Sequence, residues 1–241
     1  MWAALAVVAV LVLAVVLVVW FVLPELIFHR ARQGVIWRAT GRGSKGLVAL
    51  TFDDGPDPRY TPRILTILGR HGACATFFVV GARAALHPGL LREILAGGNE
   101  VGNHTLNHCH AWTLGPLATL RQLRRTDELV EGLSGARPRL FRPPWGFFNL
   151  ATYLLGGRNH RLVLWSIAPL DWKPETGPAH VAELVLSRVR GGDIIDLHDS
   201  GPRGTPEQVI KALEPIISGL KRKGLRPVTV SELLAASDGR K

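Results

Sequence analysis

The chain has 241 residues, 47% of them hydrophobic, with a formal net charge of +10 and a pI near 10.6. That size suits one α/β domain with a substantial core plus a short appendage. The basic balance would suit nucleic acid, an anionic membrane surface or an acidic polymer. No zinc finger, RNA-binding aromatic motif or basic heptad helix is present, which argues against nucleic acid.

Residues 2–23 are apolar and uncharged throughout. About 20 such residues suffice to span a bilayer as a helix. No Lys or Arg precedes the run, and bulky Trp20, Phe21 and Leu23 close it. This reads as an uncleaved, single-pass membrane anchor over residues 1–23, rather than a signal peptide with a basic start and a small-residue cleavage site. Trp2 and Trp20 fall near the two interfaces. The basic residues Arg30, Arg32, Arg38, Arg42 and Lys45 follow the span. They favour a cytoplasmic domain by the positive-inside bias, yet long domains translocate despite charge, so both orientations stay open. Residues 24–46 read as a basic juxtamembrane linker.

From residue 47 to residue 236 strand-like and helical patterns alternate, leaving residues 237–241 as a tail. Strands are predicted over 47–52, 75–80, 99–103, 139–142, 162–167, 193–197 and 226–230. Helices are predicted over 62–71, 88–96, 116–133, 148–155, 178–189 and 205–223, with a last short helix capped by Ser231. Repeated strand–helix alternation argues for a parallel α/β sheet or barrel of about seven units. Of the two cysteines, Cys74 reads as a small core residue and Cys109 lies between His108 and His110. One disulfide between them is compatible with the sequence.

In a parallel barrel, chemistry gathers at the C-terminal ends of the strands. Those ends carry Asp53-Asp54, then His104 and His108, then Arg142-Pro143-Pro144-Trp145-Gly146, then Asp171-Trp172, then His198-Asp199. Adjacent carboxylates repel, and a cation or an arginine would offset them. If residues 104–108 form one helical turn, the two imidazoles share a face and grip one cation. Asp54 completes a three-ligand site with positions left open. Hydrolysis then needs a base and an acid. Asp53 is the natural base, with Arg142 placed to pair with it. His198 is the natural acid, with Asp171 placed to hold it protonated. Pro144 and Gly146 would shape a loop whose backbone N–H groups point into the site.

These five motifs resemble, in order and spacing, those of the polysaccharide deacetylases, carbohydrate esterase family 4 with the NodB homology domain. The residues are Thr51-Phe52-Asp53-Asp54-Gly55-Pro56, His104-Thr105-Leu106-Asn107-His108, the Arg142 to Gly146 stretch, Asp171-Trp172 and Leu197-His198-Asp199. The resemblance implies a distorted seven-stranded (β/α) barrel, NodB-like, over residues 47–236. It also implies a divalent metal on Asp54, His104 and His108, with Zn2+ expected and Co2+, Mn2+ or Ni2+ compatible. By the same resemblance Asp53 is the base, His198 the acid, and the backbone near Trp145 an oxyanion donor, with Trp172 beside the substrate.

Three departures bear on substrate identity. Ala168 stands where the family usually has a further Asp, Trp145 where it usually has Tyr, and Asp196 where it usually has an apolar residue. The expected activity is removal of N-acetyl or O-acetyl groups from a polysaccharide or peptidoglycan sugar by a cell-membrane enzyme. The alternatives are a deacetylase or deformylase of a lipid-linked sugar, and an inactive glycan-binding barrel.

Overall fold

In a computed structural model, which describes residues 1–202 and 204–239, seven strands all run parallel. They are β1 (Leu47–Asp53), β2 (Thr76–Val79), β3 (Glu100–Asn103), β4 (Leu140–Phe141), β5 (Arg161–Leu162), β6 (Ile194–His198) and β7 (Arg226–Val228). The order across the sheet is β5-β4-β3-β2-β1-β6. Ala49 of β1 pairs with both Ile194 and Val228, so β7 lies on the edge of β1 opposite β6. The sheet curls until the chain beyond β5 reaches β6, where Ile167 bridges Ile195 in parallel and accepts from the Asp196 N–H at 2.9 Å. The result is a distorted (β/α) barrel.

Strand alternation explains what lies inside. A strand sends successive side chains to opposite faces. On β1, Val48, Leu50 and Phe52 join Phe77 and Val79 of β2 and Ile195 and Leu197 of β6 in the larger core, beneath the helices. Those helices include α2 (Thr61–His71), α4 (Pro88–Ala96), α7 (Pro178–Arg188) and α8 (Thr205–Arg222), with the short α3 (Gly81–Leu86) between α2 and α4. Ala49, Thr51 and Asp53, and Ile194, Asp196 and His198, therefore turn to the barrel interior. Its lower half is a second apolar cluster of Ala49, Phe78, Leu140, Val163 and Ile194 with Val230, Leu233 and Leu234 of α9 (Val230–Ser237). Burial on both faces is why these strands read as continuous apolar runs.

Several predicted elements shift. The 162–167 strand is paired as β5 only at its start, because residues 163–167 cross from β4 toward β6. The predicted 148–155 helix is α6 (Leu150–Asn159), started by Asn149, whose side chain accepts from the Thr152 N–H. Thr229, not Ser231, caps α9, because its side chain accepts from the Glu232 N–H at 3.2 Å. Ser231 instead hydrogen-bonds Glu100. Cys74 and Cys109 are free thiols.

Within the stretch read as a linker, Ile36 bridges Val163, and Arg38 pairs with the buried Asp193 at 2.6 Å. Val35 and Ala39 are buried there. The segment thus fills the gap between β5 and β6 at the barrel's lower end. Ahead of it, α1 (Trp2–Leu17) continues through π-helical turns at Val18–Val22 and Glu25–Arg30. Trp2–Phe28, 27 residues, is long and apolar enough to cross a membrane by length and composition. Its far end meets the domain: Phe21 lies 5.7 Å from Trp112, and Phe28 stacks on Tyr153 of α6 at 3.4 Å between ring centroids.

Candidate functional site

Asp53 ends β1 and faces inward with Thr51. Alternation would send Asp54 the other way, but its φ of 75° breaks the strand and turns its carboxylate to the same side. Asp tolerates this left-handed conformation better than most residues. Two adjacent acids thereby share one cleft. The next residue must be glycine for lack of room: a Cβ on Gly55 would lie 2.1 Å from the Asp199 carboxylate.

The segment from His104 to His108 is not a helical turn, so the condition under which the two imidazoles would share a helix face is not met. It is a loop with left-handed residues at Thr105 (φ 66°) and His108 (φ 53°). The loop converges the imidazoles because its backbone is clamped from outside. The Leu106 and Asn107 N–H groups both donate to Gln122 Oε1 at 2.9 Å. Gln122 lies on α5 (Pro116–Ser134). The carbonyls of Thr105 and Leu106 accept from Gly81 and Ala82 at the start of α3. His104 Nδ1 donates to the Arg142 carbonyl at 2.7 Å, which leaves Nε2 free for the cleft.

Asp54 Oδ1 lies 2.8 Å from His108 Nε2 and 3.4 Å from His104 Nε2. The three groups can bring one ligand atom each to within 4.8 Å of one another. One carboxylate oxygen and two imidazole nitrogens fit a divalent transition metal, and the bond from His104 Nδ1 to the Arg142 carbonyl is of the kind that orients a metal-binding imidazole. Burial pushes the Asp54 carboxyl up, but hydrogen bonds from His104 and His108 outweigh it and hold the group well below the usual range. The arrangement favours an anionic carboxylate where a cation would sit.

Arg142 is fully buried and organises the floor. Its Nη1 lies 2.7 Å from Asp53 Oδ1, 2.8 Å from Thr51 Oγ1 and 3.0 Å from Asp196 Oδ1. Its guanidinium also sits over the Phe78 ring at 4.2 Å. Nη1 has two hydrogens for three acceptors. Burial, and then the charge of Asp53, push the Asp196 carboxyl up to about 7. Asp53 Oδ2 is left facing the cluster, 3.7 Å from His104 Nε2.

Across the cleft, His198 ends β6. Its Nδ1 donates to Asp171, whose oxygens lie at 3.1 and 3.2 Å, and Asp171 Oδ2 also accepts the His198 backbone N–H at 2.8 Å. Burial pushes the imidazole down, but the buried Asp171 charge and its hydrogen bond hold it well above the ordinary histidine range. Gln208 of α8 holds the Asp171 loop through the carbonyls of Asp171 and Lys173.

In the Pro144–Gly146 turn, Trp145 is left-handed (φ 55°). The Gly146 and Phe147 N–H groups are spent within the turn, on the Pro143 and Pro144 carbonyls. Among the described residues, the Trp145 N–H has no such partner, so the turn offers one backbone donor rather than several. Trp145 packs on His108 at 4.2 Å, and Trp172 stands edge-on to His198 at 5.5 Å. Asp53, Asp54, His104, His108, Trp145, Trp172, Asp196 and His198 line one cleft of about 400 Å³, while Arg142 and Asp171 support it from behind.

The motifs did not reveal the clamps. Arg83 on α3 donates to the Asp54 carbonyl at 2.7 Å and to Ser200 Oγ. Thr61 donates to Asp199 Oδ2 at 2.5 Å. Burial pushes Asp199 up to about 7. None of Gln122, Arg83 or Thr61 lies in a strand-end motif, so no local pattern marks them.

A parallel barrel that gathers Asp53, Asp54, His104, His108 and His198 in one strand-end cleft has the donor set a hydrolytic site would need. Residues 40–158 match the polysaccharide deacetylase family. A peptidoglycan-N-acetylglucosamine deacetylase of Bacillus cereus is 39% identical over 201 residues, covering 78% of this chain and 88% of that protein. A chitooligosaccharide deacetylase of a Bradyrhizobium species is 35% identical, covering 73% of this chain and 85% of that protein. The solved structure of the peptidoglycan deacetylase PdaC from Bacillus subtilis superposes with a TM-score of 0.74 at 34% identity, covering 82% of this chain and 94% of that one. The chain belongs to the polysaccharide deacetylase family.

Proposed function

We propose that this protein is a membrane-anchored, divalent-metal-dependent deacetylase that removes the N-acetyl group from an N-acetylated glycan, with peptidoglycan N-acetylglucosamine as the leading substrate. One observation carries the reading. A carboxylate with one oxygen on Arg142 and the other toward the ligand cluster faces an imidazole held by Asp171, within one cleft. The relatives' substrates supply the glycan class.

Asp54, His104 and His108 would hold a divalent ion, zinc being the expected one, which would supply Lewis-acid polarisation of the acyl carbonyl and activation of water. The residues of the chain do the rest. Asp53 Oδ2 takes a proton from the attacking water, while Arg142 fixes the other oxygen and keeps the carboxylate aimed. The Trp145 N–H donates to the oxygen that becomes negative as the carbonyl turns tetrahedral. His198, protonated through Asp171, gives a proton from Nε2 to the departing amine. Water and the acetamide become acetate and a free amine. Trp145 and Trp172 supply flat apolar walls for sugar rings. Because Asp171 makes the contact to His198 by itself, Ala168 leaves the acid supported.

The test is acetate release by the full chain in detergent micelles, from peptidoglycan and from N-acetylglucosamine oligomers, with zinc, with a chelator and beside Asp53→Asn. Release that needs metal and is lost in the variant is expected. Release from neither substrate by protein that binds zinc would overturn the substrate reading, and chelator-resistant release would overturn the metal reading.

A further inference from the structure

The apolar N-terminal helix leaves the domain on a particular side. From Trp2 to Phe21 it rises roughly 28 Å, about one hydrocarbon thickness. At that level Phe21 meets Trp112, which follows β3 on the same face as the strand-end motifs. Trp112 lies 5.8 Å from Phe147, and His110 lies 5.3 Å from Trp145, which rests on the ligand His108. A chain of ring contacts therefore runs from the end of the span to the cleft.

The surface beside this point is unusual. Trp112 is 43% exposed, and Leu117, in the first turn of α5, is 79% exposed. One and two turns further along α5, Arg121, Arg124 and Arg125 are exposed too. Apolar groups at a helix tip followed by arginines one and two turns further from it match the profile of a bilayer edge. Apolar side chains enter the acyl boundary, and long cations stay at the headgroups. Cations close to an anionic surface are attracted to it.

We infer that Trp112, Leu117 and the Arg121-Arg124-Arg125 face form a docking surface for an anionic lipid bilayer, which holds the mouth of the cleft at the headgroup level. This rests on reading residues 2–23 as a membrane anchor. It narrows the substrate to glycan presented close to the membrane, whether attached to lipid or in the innermost layer of a polymer.

The experiment uses the full chain in vesicles of phosphatidylcholine, with and without phosphatidylglycerol. Spin labels are placed singly at Leu117→Cys, Val8→Cys and Lys223→Cys, with Cys74 and Cys109 replaced by Ala. Collision with oxygen against a water-soluble nickel chelate reads depth. The expected result is a membrane signal at positions 8 and 117 and a water signal at 223. The signal at 117 should deepen with phosphatidylglycerol and be lost in the Arg121→Glu, Arg124→Glu, Arg125→Glu variant. A water signal at 117 with a membrane signal at 8 would overturn the docking surface and leave the anchor. A water signal at 8 would overturn both. If the cysteine replacements disturb folding, hydrogen exchange of the unmodified chain serves instead. Amides of residues 111–117 should then slow in anionic vesicles, and equal exchange in both lipids would refute the surface.

Discussion

Replacing Asp171 with Asn removes one charge from a fully buried site and nearly preserves its shape. Asp171 contacts His198 three times, twice at Nδ1 within 3.2 Å and once at the backbone N–H. Loss of an opposite charge at that range moves a histidine pKa by roughly 1 to 3 units, each worth about 1.4 kcal/mol. If His198 must be protonated to act, the alkaline limb of kcat/KM belongs to it. In Asp171→Asn that limb should move to lower pH by roughly 1 to 3 units. The acid limb should stay in place. The same shift has a stability side. A histidine raised in the fold contributes stability that is complete below its unfolded pKa of about 6.5, and that is lost as pH rises through the folded value. The melting difference between wild type and Asp171→Asn should therefore shrink as pH climbs above neutral. Acetate-release profiles and thermal melts across pH measure both. An alkaline limb that stays put, with a uniform drop at every pH, would refute the claim that Asp171 acts through the charge on His198.

Three further outcomes are expected. Gln122→Ala frees both amides that clamp the His104–His108 loop, and should weaken zinc binding by about 10- to 100-fold in calorimetry while Asp54, His104 and His108 stay in place; unchanged affinity would show that α3 alone holds the loop. Arg142→Met strands Asp53 and Asp196 without their cation and should cost about 3 to 5 kcal/mol in denaturant unfolding; a loss below about 1 kcal/mol would mean that Arg142 is not the structural centre of the floor. Gly55→Ala drives a Cβ to within 2.1 Å of Asp199 and should lower both stability and activity; a wild-type melt would show that Asp199 can move aside.

The residues that meet in the candidate site were largely legible without coordinates. Five motifs fall at successive strand ends, and a parallel barrel puts all strand ends on one face, so one-dimensional order predicts three-dimensional assembly. The alternation within β1 and β6 even fixes which side Asp53 and His198 face, because a strand has a period of two. The expected pairings of Arg142 with Asp53 and of Asp171 with His198 follow from opposite charge, and both occur in the structure.

What the pattern could not supply were contacts between residues distant in the chain. A helical turn was the natural local reading of two histidines four apart. The loop conformation prevails because Gln122 and the start of α3 take its backbone hydrogen bonds, and neither is a neighbour in sequence. Asp196 looked only like a departure from an apolar position, and becomes intelligible once Arg142 is seen beside it. The 24–46 stretch reads as linker by composition, yet Ile36 and Arg38 find partners at Val163 and Asp193 only because the barrel leaves a gap there. Sequence by itself determined which residues can do chemistry and the apolar run that precedes them, because residue type and period are local properties. Tertiary structure alone decided how the ligand loop is shaped, how the barrel closes through Ile167 and Ile195, and on which face the N-terminal helix meets the domain. Each of those depends on a partner more than ten residues away, and no local pattern encodes it.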